Sequence, residues 1–100
     1  MLRAAQGDVD RAVSLWQQLI QLEPDVAAHH AALGALLADA RQPGAALTHL
    51  ERAAALGAPP DVYRRLATVY AALGRPDASV AARARYERAV LAPARAEPGR

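Results

Sequence analysis

The stretch AALGALLADARQPGAAL, residues 31–47, runs almost wholly on alanine and leucine, breaks at Gln42-Pro43-Gly44, and then resumes the same alphabet. Ala and Leu head the helix propensity scale, whereas Pro-Gly punctuates, so the stretch reads as two helices joined by a tight turn. The alanines add a second constraint. Side chains this small give a core little bulk, so the helices that carry them must pack closely.

The pattern recurs along the chain. Leu33, Leu37 and Pro43 are matched 33 residues later by Leu66, Tyr70 and Pro76, Gly34 by Ala67, and Ala45 by Ala78. Looking backward, Ala46, Leu50, Ala53 and Leu56 match Ala12, Trp16, Leu19 and Leu22, each 34 residues earlier. A period of this length is one helical hairpin. The Pro-Gly break is its internal turn.

Punctuation elsewhere supplies the remaining boundaries. Asp8 after Gly7 can cap a helix over 9–22; Pro24 ends it, and Asp25 can cap a second, to about Ala40. Pro43 or Gly44 opens a third, stopped by Gly57. Pro59-Pro60-Asp61 breaks and caps again for a fourth helix to Leu73, and Gly74 with Pro76-Asp77 repeats the turn before a fifth, to about Leu91. The expectation is an all-α chain: a right-handed α-α superhelix of about five helices in antiparallel hairpins. It forms one domain over 1–92, comprising a half repeat (1–24), a full repeat (25–59) and a terminal repeat (60–92). The Pro-rich residues 93–100 are expected to be a disordered tail. Leu33, Leu37, Leu50, Leu66 and Tyr70 are expected in the core.

Composition agrees. Of 100 residues, 53% are apolar, Phe is absent, and aromatic residues make up only 4%, too few with the sparse β-branched residues for a sheet. All 12 basic residues are Arg, which reads first as high genomic GC content and so as a bacterial source. The net charge of +2 is a slight excess and not a basic coat, although the isoelectric point is near 9.7. Absent Cys excludes disulfides and Cys-based metal sites. The start lacks the apolar run of a signal peptide, and no stretch approaches the ~20 apolar residues of a membrane span. The expectation is a soluble protein, cytoplasmic by default.

At this point the chain resembles the tetratricopeptide repeats, whose units carry an aromatic, Leu-Gly and Tyr in the first helix and Ala, a large apolar residue and Ala in the second, closed by Pro. The middle unit has His30, Leu33-Gly34, Leu37, Ala46, Leu50, Ala53 and Pro59. The third has Tyr63, Leu66-Ala67 and Tyr70; the first supplies Ala12, Trp16, Leu19 and Pro24. His30 stands where the family favours Trp, and Ser79 and Arg83 depart from the second-helix pattern. An alternative stripe of Ala78, Ala82, Tyr86 and Ala89 keeps an apolar face on the last helix.

Chemistry is hard to find in these residues. His29 and His30 are adjacent and point about 100° apart on a helix, so they cannot chelate one metal together; His30 reads as packing filler, and His49 can approach either. Ser14, Thr48, Thr68 and Ser79 are the only hydroxyl residues besides Tyr, none in a nucleophile motif, and the glycines form no phosphate loop. No enzyme, metal or cofactor is expected. Arg64 and Arg65, with Arg83, Arg85 and Arg88, read first as solvated surface. Nucleic acid would need a denser basic stripe with stacking aromatics.

The resemblance implies that the first helix of each unit lines a concave groove. Its floor would be Ala28, Ala31, Ala32, Ala35 and Asp39 in one unit and Asp61, Arg64, Arg65, Thr68 and Ala72 in the next. A small, smooth floor admits a helix or extended peptide, and Arg offers forked donors to acidic groups of a partner. The family's clamp for acidic chaperone tails relies on Lys and Asn where this chain has Ala31, Ala35, Arg64 and Thr68, so no chaperone adaptor is expected. The expected role is a non-enzymatic protein-binding scaffold. Alternatives are a homo-oligomerising piece of a larger repeat protein and a nucleic-acid-binding repeat. Ala12, Trp16 and Leu19 on the first full helix lack the family's usual cover. Either they make an edge through which two copies pair, or Trp16 turns onto the next helix.

Overall fold

The computed structural model describes residues 2–96, with side chains described for 7–91. It is all-α: α1 (Leu2–Leu22), α2 (Ala27–Asp39), α3 (Pro43–Ala55), α4 (Asp61–Ala72) and α5 (Pro76–Ala96). α2 with α3, and α4 with α5, make the most extensive pairings, so the chain folds as two hairpins with α1 laid against α2. The hairpins join through α3 against α4 and a lighter contact of α2 with α4, whereas among the described residues α3 and α5 do not pack together. The radius of gyration is 15.3 Å and the extents are 55 × 32 × 21 Å. A compact chain of this length would have a radius near ~13 Å. The molecule is therefore a stack and not a ball.

The 33-residue period is visible in the backbone bonds. At the end of α2, Gln42 N–H donates to Leu37 O (2.9 Å) and Arg41 N–H to Ala38 O (3.0 Å). At the end of α4, Arg75 N–H donates to Tyr70 O (2.9 Å) and Gly74 N–H to Ala71 O (3.1 Å). The same pair of bonds closes α3, from Ala58 to Ala53 O and from Gly57 to Ala54 O. Each is a Schellman closure, which needs a left-handed residue just past the helix. Gly57 (φ 86°) and Gly74 (φ 73°) meet that need, but the equivalent residue after α2 is Arg41 (φ 62°).

The core is assembled from the expected stripe. Leu33 and Leu50 are fully buried, with Leu37, Leu66, Ala46, Ala53 and Ala67 around them. Leu47, Val62, Val69 and Ala82 join them. Gly34 lets α2 and α3 close up: a Cβ there would lie 2.6 Å from Leu50 Cγ and 3.2 Å from its backbone N. Ala82 is buried and Arg83 exposed, so the last helix uses the stripe of Ala78, Ala82, Tyr86 and Ala89. Ser79 is not idle: its Oγ donates to Ala67 O at 2.7 Å and ties α5 to α4.

Several expectations are corrected. α1 runs unbroken through Gly7 and Asp8, so Asp8 caps nothing; a helical Gly costs only about 1 kcal/mol relative to Ala, and helix formers flank it. Asp25 does not cap α2, whose N-cap is Val26, but pairs with Arg52 of α3 at 3.2 Å. Asp61 is the first residue of α4 and not its cap, which is Pro60. Tyr70 is half-buried, because its hydroxyl swings out to donate to Glu51 Oε2 at 2.6 Å. α5 continues past Leu91 to Ala96, taking in the first residues of the expected tail; 97–100 lie outside the described residues.

Candidate functional site

Helical phase decides which side chains the α2–α4 face offers. On α4, residues 61, 65, 68 and 72 recur at spacings of four, three and four, one side of a helix, while Leu66, Val62 and Val69 turn into the core. Two shallow clefts result. Ala31, Ala32, Asp61 and Arg65 line the first, of about 260 Å³, together with Ala58 and Pro59 of the preceding turn. Thr68 and Ala72 line the second, of about 340 Å³, with Ala38, Arg41, Pro43 and Val69. Of the remaining floor residues, Ala35 is half-buried and Ala28 exposed, and neither lines these two clefts.

Both arginines are already engaged. Asp61 Oδ1 accepts from Arg64 Nη2 at 2.7 Å and from Nε at 2.8 Å. Its other oxygen lies 3.6 Å from Arg65 Nε, and Arg65 Nη1 reaches across to Asp39 of α2 at 3.8 Å. Two acids and two bases cancel. These pairs are largely exposed, and exposed pairs contribute about 0–1 kcal/mol each, so a ligand carboxylate can exchange into the cluster. Thr68 Oγ1 donates weakly to Arg64 O at 3.4 Å.

The three histidines separate into two sites. His29 Nε2 lies 2.7 Å from Glu23 Oε1, and its ring is 5.9 Å from that of Trp16. His30 is buried, and its Nε2 donates to Pro24 O at 2.8 Å, which fixes the proton on that nitrogen and leaves Nδ1 without a partner. His49 stacks on His30 at 5.8 Å. Burial, and then the His30 ring, hold His49 below the ordinary imidazole value of 6.5. Among the described residues no three His, Asp or Glu side chains gather as a metal site.

Of the two arrangements expected for α1, an uncovered edge at Trp16 or Trp16 turned onto the next helix, the structure has the second. Val13, Trp16 and Ile20 turn onto the core. The uncovered stripe is instead Leu15 (65% exposed) and Leu22 (79%), flanking the half-buried Ala12 and Leu19. Trp16 follows the second of the two expected arrangements, turned inward beside His29 of α2, and the exposed positions follow the spacing 12, 15, 19 and 22.

A larger cleft, about 480 Å³, was missed altogether. It opens between α3 and α5 over Tyr63, Leu66 and Tyr70 of α4, roughly half a turn around α4 from the arginine cluster. Tyr63 and Tyr70, seven apart, were legible as a stripe but were assigned wholly to packing. No helix among the described residues is long and apolar enough to cross a membrane. No family model matches the sequence, and neither a curated protein nor a solved structure does.

Proposed function

We propose that the protein is a non-enzymatic helical-repeat module of the tetratricopeptide kind, which binds a peptide or helix of a partner protein on its α2–α4 face. The observation that supports this reading is the pairing of an alanine floor with the exposed Asp39–Asp61–Arg64–Arg65 cluster. A partner carboxylate displaces Asp61 from Arg64 or Arg65 and gains forked donors at little cost in broken pairs. Capture from a lysate of its source cells identifies the partner, and the double substitution Arg64→Glu with Arg65→Glu tests the face. The expected outcome is at least a tenfold loss of affinity, about 1.4 kcal/mol; unchanged affinity removes this face from the reading. A nucleic-acid binder would instead hold a random oligonucleotide with affinity falling steeply as salt rises.

A second reading, self-association, rests on the exposed Leu15 and Leu22 of α1. Two copies pairing about a two-fold axis would cover the stripe with its own equivalent. Sedimentation is expected to show a dimer that Leu15→Glu with Leu22→Glu converts to monomer. A monomer at high micromolar concentration would dismiss it.

A further inference from the structure

The two faces of α4 have different chemistry, and the one away from the arginine cluster is the better built. α3 and α5 both pack on α4 but not on each other, which leaves a trough between them. Its walls are small: Ala54 and Ala55 on one side, Ala78, Ala81 and Ala82 on the other. Leu66 forms the middle of the floor. Each end carries a charge mounted on a tyrosine. At one end Arg85 lies over the Tyr63 ring, 4.6 Å from its centroid. At the other, Glu51 accepts the Tyr70 hydroxyl at 2.6 Å.

Neither charge belongs to an ion pair within the described residues, although Arg75 stands near enough to Tyr70 to act on its phenol. No carboxylate lies within 4.0 Å of the Arg85 guanidinium, and no cationic group within 4.0 Å of Glu51. The contact with the Tyr63 ring uses none of the Arg85 N–H donors, which stay available to an incoming carboxylate. Glu51 is fixed by one phenol and retains acceptor sites for a cation. Seven residues of α4 separate the two tyrosines, about 10.5 Å along its axis. That is two helical turns.

We propose that this trough is a second docking site, distinct from the α2–α4 face, and that its occupant is an amphipathic helix of a partner protein. Alanine walls allow a fourth helix to approach α3 and α5 closely, and apolar side chains from its inner face enter the cleft over Leu66. The end charges specify it further: one acidic and one basic residue seven positions apart flank the apolar stripe, the acid meeting Arg85 and the base meeting Glu51. A second copy of this chain does not supply that pair through its exposed α1 face. Gln18 stands seven residues after Arg11, and Trp16 seven before Glu23.

Selection of a library of helix-forming peptides on the immobilised protein tests the site, with charge randomised at two positions seven apart around a fixed apolar stripe. The wild type is expected to enrich peptides bearing one acid and one base at those positions. Arg85→Glu, an exposed change, is expected to shift enrichment to two bases. Arg64→Glu with Arg65→Glu, on the other face, is expected to leave enrichment as it was, so this site and the α2–α4 reading fail separately. Enrichment without charge preference, no enrichment, or a preference that Arg85→Glu does not alter would each overturn the proposal. Circular dichroism of the Arg85→Glu variant confirms that it remains folded.

Discussion

Gly34 shows how a single atom sets a helix spacing. Gly→Ala inside a helix ordinarily stabilises by about 0.5–1 kcal/mol. Here the new methyl would meet Leu50, which is fully buried and cannot swing away, as well as its backbone N. Overpacking of this kind costs about 1–3 kcal/mol, so the net sign reverses and Gly34→Ala is expected to lower the urea midpoint. Its counterpart one repeat later is Ala67, buried yet tolerated, which marks the α2–α3 approach as the tighter one. Arg41 is the opposite case. It holds the left-handed position that Gly57 and Gly74 take elsewhere, at about 1–2 kcal/mol for a residue with a Cβ. Arg41→Gly is expected to raise the melting temperature. His49 adds a pH dependence: its folded-state value lies below 6.5, so the unfolded chain binds the proton first as pH falls. Stability from this site is fully present above about 6.5 and is lost as pH falls through the folded value. His49→Gln is expected to flatten the slope of urea midpoint against pH below neutrality.

At the scale of the helices, the sequence was informative where a residue acts through its own backbone. Pro43 and Pro76 open α3 and α5, and Gly57 and Gly74 close α3 and α4, because these residues dictate local dihedrals wherever they stand. It was less informative where a side chain chooses between partners. Asp8, Asp25 and Asp61 all looked like caps, yet Asp25 serves Arg52 and Asp61 serves two arginines, choices made by neighbours distant in sequence or one turn on. Tyr70 was misplaced for the same reason, and the choice between the two arrangements of Trp16 was likewise left to its neighbours. Ala31, Ala32, Asp61 and Arg65 line one cleft, a placement that follows from phase alone. The trough over Tyr63 and Tyr70 depends on α3 and α5 failing to touch, which no pattern in one helix reveals. Tyr70 itself gives an element-level test. Burial, with the Glu51 bond next, pushes its phenol up to about 12, so the neutral form supports the α3–α4 contact below pH 10 and that support fades as pH rises towards 12. Tyr70→Phe is expected to remove this alkaline component from the unfolding curve.

Across the whole molecule, stability is shared along a line of neighbour contacts. Leu50 is fully buried on α3, which packs on both α2 and α4 and so joins the two hairpins. Leu50→Ala is expected to cost about 2–5 kcal/mol, and a stack with so few shared contacts cannot redistribute that loss. The ends differ from the centre. Among the described residues α1 packs on α2 alone and leaves Leu15 and Leu22 in water, whereas α4 is packed by α5, α3 and α2. Local opening follows contact density, so amide exchange is expected to be fastest along α1 and slowest in α3 and α4. The same measurement separates the two readings of the α1 edge. If copies pair through Leu15 and Leu22, pairing stabilises the closed form of α1 by mass action, and its protection rises with protein concentration while that of α4 holds. If the stripe stays uncovered, exchange along α1 is the same at ten and at several hundred micromolar. A uniform exchange rate from α1 to α5 would mean that the five helices open as one unit and that the stacked description of the fold's energetics is wrong.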